Sequence, residues 1–264
     1  MCAWLARHGR ASASGLVYLG VGVGLIVSSA LVSLPANWLA GAERWWPAFI
    51  LSVPLAVWGW RQLMRLDVAS PVNVSSSGVP ASSKLLDRNS TPLFLSYAGA
   101  GMGYILPMTF LPTLASQLPD IPKALIGYSW LVVALATLPA PWIWNKAGAL
   151  LGDTVALRIN YGLQLLGVLA VLVLPGTVGI LLCALLVGGT FLGTVLLSQR
   201  LARTLHPHQG PRLSAALVAL YSVTQLGGPW LTKQWLNMGG SLQGAFWLGA
   251  GALVWGLVWV WLFL

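Results

Sequence analysis

The side chains of this chain that could handle a polar ligand are hydroxyls and amides set inside long apolar runs. Tyr104 and Thr109 lie in the stretch Gly99 to Leu114. Thr190 and Thr194 are four apart in Gly188-Gly189-Thr190-Phe191-Leu192-Gly193-Thr194, and Tyr221, Thr224 and Gln225 come just before Gly227-Gly228-Pro229. Spacings of three and four put each set on one helix face. Gln164 lies well inside another apolar run. Such groups can hold a small neutral, anionic or partly apolar molecule by hydrogen bonds. They can equally bond between helices, at about 0.6 kcal/mol each, or back to their own carbonyls, and both readings stay open. Tyr104, Thr109, Thr190 and Gln225 are the candidate substrate-binding residues.

Other chemistry finds little support. None of the five acidic residues, Glu43, Asp67, Asp87, Asp120 and Asp153, falls in the middle of an apolar run, so the intramembrane carboxylates of a proton relay are missing. His206 and His208 flank Pro207 with no neighbouring cysteine or carboxylate in sequence, and no metal site is expected. Cys2 and Cys183 support no disulfide framework. No grouping of nucleophile, base and orienter stands out, so neither an enzyme nor a cofactor is expected.

The elements that position these residues are membrane spans. A chain of 264 residues that is 57% hydrophobic and 7% charged, with a mean hydropathy of +0.80, is far from the roughly 25% charge of a soluble domain. The expectation is an all-α polytopic membrane protein whose first partner is the lipid bilayer. Runs of spanning length occur at about 14–34, 46–63, 92–116, 124–145, 157–175, 177–199, 212–232 and 241–264, which makes eight transmembrane helices. The third should be a broken span. Pro107 and Pro112 cannot donate to the carbonyls of Gly103 and Met108, and an irregular span belongs where a cavity or another partner serves those oxygens. Small residues mark helix contacts: Gly20 and Gly24 with Ser28, Gly99 with Gly103, and Gly189 with Gly193.

Three regions follow from composition. Residues 1–66 carry two spans, 67–91 form a Ser-, Val- and Pro-rich linker unable to bury a core, and 92–264 carry six spans. The first span follows Arg7 and Arg10 and is longer than a signal peptide's apolar region, so it is read as retained. The net charge of +9 reflects bases in short connections, which orient a membrane protein, and nucleic acid is not an expected partner. With the N-terminus inside, eleven of the fourteen basic residues are inside and only Arg44, Lys123 and Lys233 are outside. Both termini are then cytoplasmic.

The residues Gly103-Tyr104-Ile105-Leu106-Pro107-Met108-Thr109-Phe110-Leu111-Pro112, Gly188 to Gly193, and Tyr221 to Pro229 resemble the YbfB/YjiJ-like branch of the major facilitator superfamily. Ala6 to Arg10, followed by Gly20 to Gly24, is similar to the connection into that family's fifth helix. The resemblance implies a major facilitator superfamily-like bundle in the bacterial inner membrane, and a secondary transporter moving a small organic substrate by alternating access. It aligns this chain with helices five to twelve of twelve, an N-terminally truncated arrangement. Transport would then need the missing N-terminal helices, and a homo-oligomer is the other way to cover the exposed faces. The alternative is a membrane protein without transport activity, a degenerate fragment or a partner-binding bundle. The connection from Lys146 to Arg158 departs from the superfamily's gating-loop pattern, so no gate is assigned there.

Overall fold

The computed structural model describes residues 14–33, 39, 41–65, 85–118, 121–206 and 209–264. Arg7, Arg10, Cys2, Asp120, His208 and residues 66–84, most of the expected linker, lie outside the described residues. Among those described there is no strand and there are nine α-helices: α1 Ser14–Ser33, α2 Trp46–Arg65, α3 Thr91–Gln117, α4 Lys123–Thr137, α5 Ala140–Leu151, α6 Asp153–Val173, α7 Gly176–Leu205, α8 Gly210–Asn237 and α9 Leu242–Phe263. Of these, α3, α6, α7 and α9 are long and apolar enough to cross a membrane by that measure alone.

Eight expected spans become nine helices because the fourth is split. Its apolar run contains Pro139 and Pro141, which lack the N–H groups that Leu135 and Thr137 would need. The chain turns at Leu138-Pro139 and restarts as α5, with the Ile143 amide donating to the Pro139 carbonyl at 3.0 Å. The long connection expected from Lys146 to Arg158 is correspondingly absent. α5 runs to Leu151, and only Gly152, at φ +86°, separates it from α6. That left-handed conformation is one a side chain would resist.

The third span also differs from expectation, because it is not broken. α3 continues as one helix through Pro107 and Pro112.

The chain divides into two compact units, one comprising residues up to Ile26 together with Leu85–Leu264, the other Val27–Lys84. In the second unit, α2 buries none of its residues, and Trp46 meets Phe49 edge-to-face at 5.7 Å. In the first, α7 is central and packs against α3, α4, α5, α6 and α8, while α3 also lies along α8 and α9. Tyr97, Leu157, Tyr161, Leu196, Leu197, Leu217, Phe246 and Leu253 fill the core. The outer surface keeps Leu166, Leu185, Val223, Leu226, Trp230 and Trp247 exposed, the arrangement of a bundle whose solvent is hydrocarbon.

Candidate substrate-binding site

Glycine lets α3 approach α9 until the backbones touch. A Cβ on Gly99 would meet the Ala252 carbonyl, and one on Gly103 would meet Leu253 and lie 2.9 Å from the Gly249 oxygen. The same contact encloses the oxygen freed by Pro107. A Cβ on Gly249 would be only 3.2 Å from the Gly103 carbonyl, so that oxygen is covered by a neighbouring helix and does not face a cavity. On its other side α3 meets α8 through Gly101, where a Cβ would meet Thr224 and Tyr221.

These approaches bring four rings into a column drawn from three helices. Tyr97 stacks on Tyr221 at 4.4 Å and 18°, Tyr221 on Tyr104 at 5.4 Å and 10°, and Tyr104 on Phe191 at 5.4 Å and 1°. All three centroid spacings are in or just at the edge of the range where aromatic pairs attract. Both faces of Tyr104 are thereby covered, and its hydroxyl edge is what remains. That hydroxyl accepts a hydrogen bond from Gln225 Nε2. Gln225 is half-buried, so the pair sits at the margin of the packed core. Pro229, inside α8, cannot donate to the Gln225 carbonyl. Gln225 therefore brings a side-chain amide and a backbone acceptor without its helical donor to one place.

The profile of the family described as "Uncharacterised MFS-type transporter YbfB" matches residues 2–260. The chain belongs to that family. No curated protein matches it. As a member of the YbfB family with this set of long apolar helices, the chain is a multi-pass helical membrane protein of the transporter class.

In this YbfB-family chain the four candidate residues are not gathered at one point. Thr109 is exposed. Five residues on a helix turn through about 140° from Tyr104, which explains the different face. Thr190 is 2% exposed, and its hydroxyl donates to the Leu186 and Val187 carbonyls of its own helix at 2.6 and 3.3 Å. Its backbone carbonyl accepts from Asn160 Nδ2 at 2.9 Å, and Asn160 Oδ1 accepts from Thr194 at 2.6 Å. Trp144 Nε1 donates to the Gly189 carbonyl at 2.7 Å, and Thr137 to that of Gly188 at 3.1 Å. Three successive carbonyls of α7 are thus held by side chains of α4, α5 and α6. This network joins helices.

Of the glycines expected at helix contacts, Gly99, Gly103 and Gly193 make them, and Gly189, Gly20 and Gly24 do not. A Cβ on Gly193 would run into Trp144 and Asn160, whereas the nearest atom to one on Gly189 is 4.0 Å away. Gly188, whose Cβ would be 2.6 Å from the Val133 carbonyl, is the closer partner. Among the described residues nothing lies within 4 Å of a Cβ built on Gly20 or Gly24, while one built on Gly22 would lie 3.0 Å from Leu138. Gln164 is fully buried with neither amide atom bonded among the described residues.

Two charged clusters at the α7 C-terminal end complete the picture. Arg200 Nε lies 2.9 Å from Asp153 Oδ1, and its guanidinium donates to Asn145 Oδ1 at 2.7 Å. This ties the middle of α5, the first turn of α6 and the last turns of α7 together. Gly148 makes the room, since a Cβ there would be 2.5 Å from Asp153 Oδ1. No gate was expected at this connection, and the sequence signal for the cluster is only the Gly148-to-Asp153 spacing. Ahead of α3, Asp87 Oδ1 accepts from the Ser90 and Asn89 amides at 2.7 and 3.0 Å, and Oδ2 lies 3.2 Å from His206 Nε2. The amide of Ser90 is the largest influence holding the Asp87 carboxyl below its ordinary range.

Proposed function

We propose that this chain contributes to a secondary active transporter that carries a small organic molecule by alternating access, with Tyr104 and Gln225 touching the substrate. The observation behind this reading is their hydrogen bond, which joins α3 to α8 at the edge of an apolar core. Polar uncharged groups that cross between helices in this way are costly in hydrocarbon unless they serve packing or a ligand. Gln225 keeps part of its surface free. The pair carries no charge, which suits recognition of a neutral or partly apolar molecule through hydrogen bonds. Thr109 and Thr190 would line the same cavity only after α3 and α7 moved relative to their present packing. In this reading the helices correspond to the fifth to twelfth of a twelve-helix carrier, so transport requires the helices that complete the other half of the cavity.

Gln225→Leu tests the site. Uptake by the complete assembly is expected to fall at least tenfold with membrane abundance unchanged; abundance falling in proportion to uptake would make Gln225 a packing residue. The proposed orientation places the bacterial cytoplasm at the Arg158, Arg200 and Arg212 end. A cysteine at Asn237 should then react with an impermeant thiol reagent outside intact cells, and one at Ser76 should not. The reverse pattern would overturn the orientation.

A further inference from the structure

The end of α9 forms one wall of a groove with the residues that lead into α3. The groove encloses about 320 Å³ and is lined by Arg88, Asn89, Leu205, Leu262, Phe263 and Leu264. We propose that it binds the headgroup of an anionic phospholipid, with the phosphate on Arg88 and the acyl chains along Leu262 and Phe263.

Three features meet here. The first is depth. Trp255, Trp259 and Phe263 run down one side of α9 in ring contact, at 5.6 and 4.7 Å, and Trp261 is exposed. Aromatic residues gathered at a helix end mark the headgroup level of a bilayer. The second is charge. Arg158 lies over the Trp261 ring at 5.0 Å and donates to the Val260 carbonyl at 3.3 Å, so it is already engaged in closing the end of α9. Arg200 is engaged by Asp153. Arg88 is exposed and makes no ion pair among the described residues. The neighbouring Asp87 carboxylate is turned to the amides of its own turn and to His206 and does not pair with the Arg88 guanidinium. A planar guanidinium is the group best shaped for a phosphate. The third is polarity. Leu262 and Phe263 are 68% and 57% exposed, an apolar surface directly beside the cation. A free phosphate would use only the cation, whereas a lipid uses both. The volume is at the small end for a ligand cleft, enough for a headgroup while the tails run out along α9.

The test is thermal unfolding of the purified full chain in dodecyl maltoside, with dioleoylphosphatidylglycerol, dioleoylphosphatidylcholine or inorganic phosphate added. Phosphatidylglycerol at saturating concentration should raise the melting temperature by about 5 °C. Phosphatidylcholine and inorganic phosphate should not. Arg88→Gln should melt as the parent does without lipid and lose most of the phosphatidylglycerol shift, while Arg203→Gln, outside the groove, should keep it. Native mass spectrometry should show at least one fewer retained phosphatidylglycerol on Arg88→Gln. Equal shifts with the two lipids, an Arg88→Gln protein that keeps the full shift, or inorganic phosphate reproducing it would each overturn the proposal.

Discussion

Tyr104 has two roles that substitution can separate. Tyr104→Phe keeps the ring, and with it the stacking on Phe191 and Tyr221 at 5.4 Å each. It removes only the hydroxyl that accepts from Gln225. Since Gln225 is half-buried and free to find another partner, the loss is that of one ordinary hydrogen bond, about 0.5–1.5 kcal/mol. Tyr104→Ala empties a position that is 6% exposed. Truncating a buried aromatic costs about 3–5 kcal/mol, and each lost ring pair adds about 0.5–1.5 kcal/mol. The two variants should therefore differ by more than about 2 kcal/mol, or roughly 4–8 °C in melting temperature for a chain of this size. Melting of the purified variants in detergent, read alongside uptake by the complete assembly, measures both effects. Tyr104→Phe is expected to melt close to the parent and to lose uptake. If it melted as low as Tyr104→Ala, the hydroxyl–amide pair would be holding α3 to α8, and its assignment to a substrate would fail.

Gln164→Leu is expected to raise the melting temperature, because it replaces a fully buried amide with no hydrogen-bond partner among the described residues by an apolar group of similar size; the gain is about 1–3 kcal/mol, and a loss would reveal a bond that the amide does make. Protection of the turn before α3 should depend on pH. The Asp87 carboxyl is held below its ordinary range, so its contribution is present above that range and is lost as pH falls through the depressed value. Hydrogen exchange at Ser90, corrected for the intrinsic rate, should therefore accelerate in acid, and Asp87→Asn should show the fast rate already at neutral pH. An unchanged rate in that variant would remove the carboxylate from the turn's stability.

Much of this arrangement is legible in the residues themselves. Gly99 and Gly103 announce a close helix contact because four-residue spacing stacks them on one face, and α9 lies there. The column of rings was within reach too. Tyr97 and Tyr104 are seven residues apart, nearly the same face of α3, but ring stacking involves α7 and α8, whose approach no local pattern encodes. Pro139 and Pro141 were hidden by the hydropathy of the run around them, so the fourth span read as continuous. Thr190 shows the limit most clearly. A hydroxyl on a glycine-rich face serves a ligand or its own helix with equal ease, and only the positions of Leu186, Val187 and Asn160 decide the present packing. Asn160 itself offered a signal, four residues before Gln164 on one face of α6. The cluster of Arg200, Asp153 and Asn145 brings together residues 47 and 55 positions apart, a separation no spacing rule links.

A carrier of which this chain forms part is proposed to meet its substrate at Tyr104 and Gln225. The most direct measurement is uptake into liposomes of a substrate established for an intact member of the same family. It would be made with the 264-residue chain alone, with the chain co-expressed with that relative's first four helices, and with the co-expressed Gln225→Leu variant. The expected result is no uptake above empty liposomes for the chain alone, recovery on co-expression, and at least a tenfold loss in the variant. Uptake by the chain alone at the relative's rate would show that no further helices are needed, and undiminished uptake with Gln225→Leu would remove Gln225 from the substrate site.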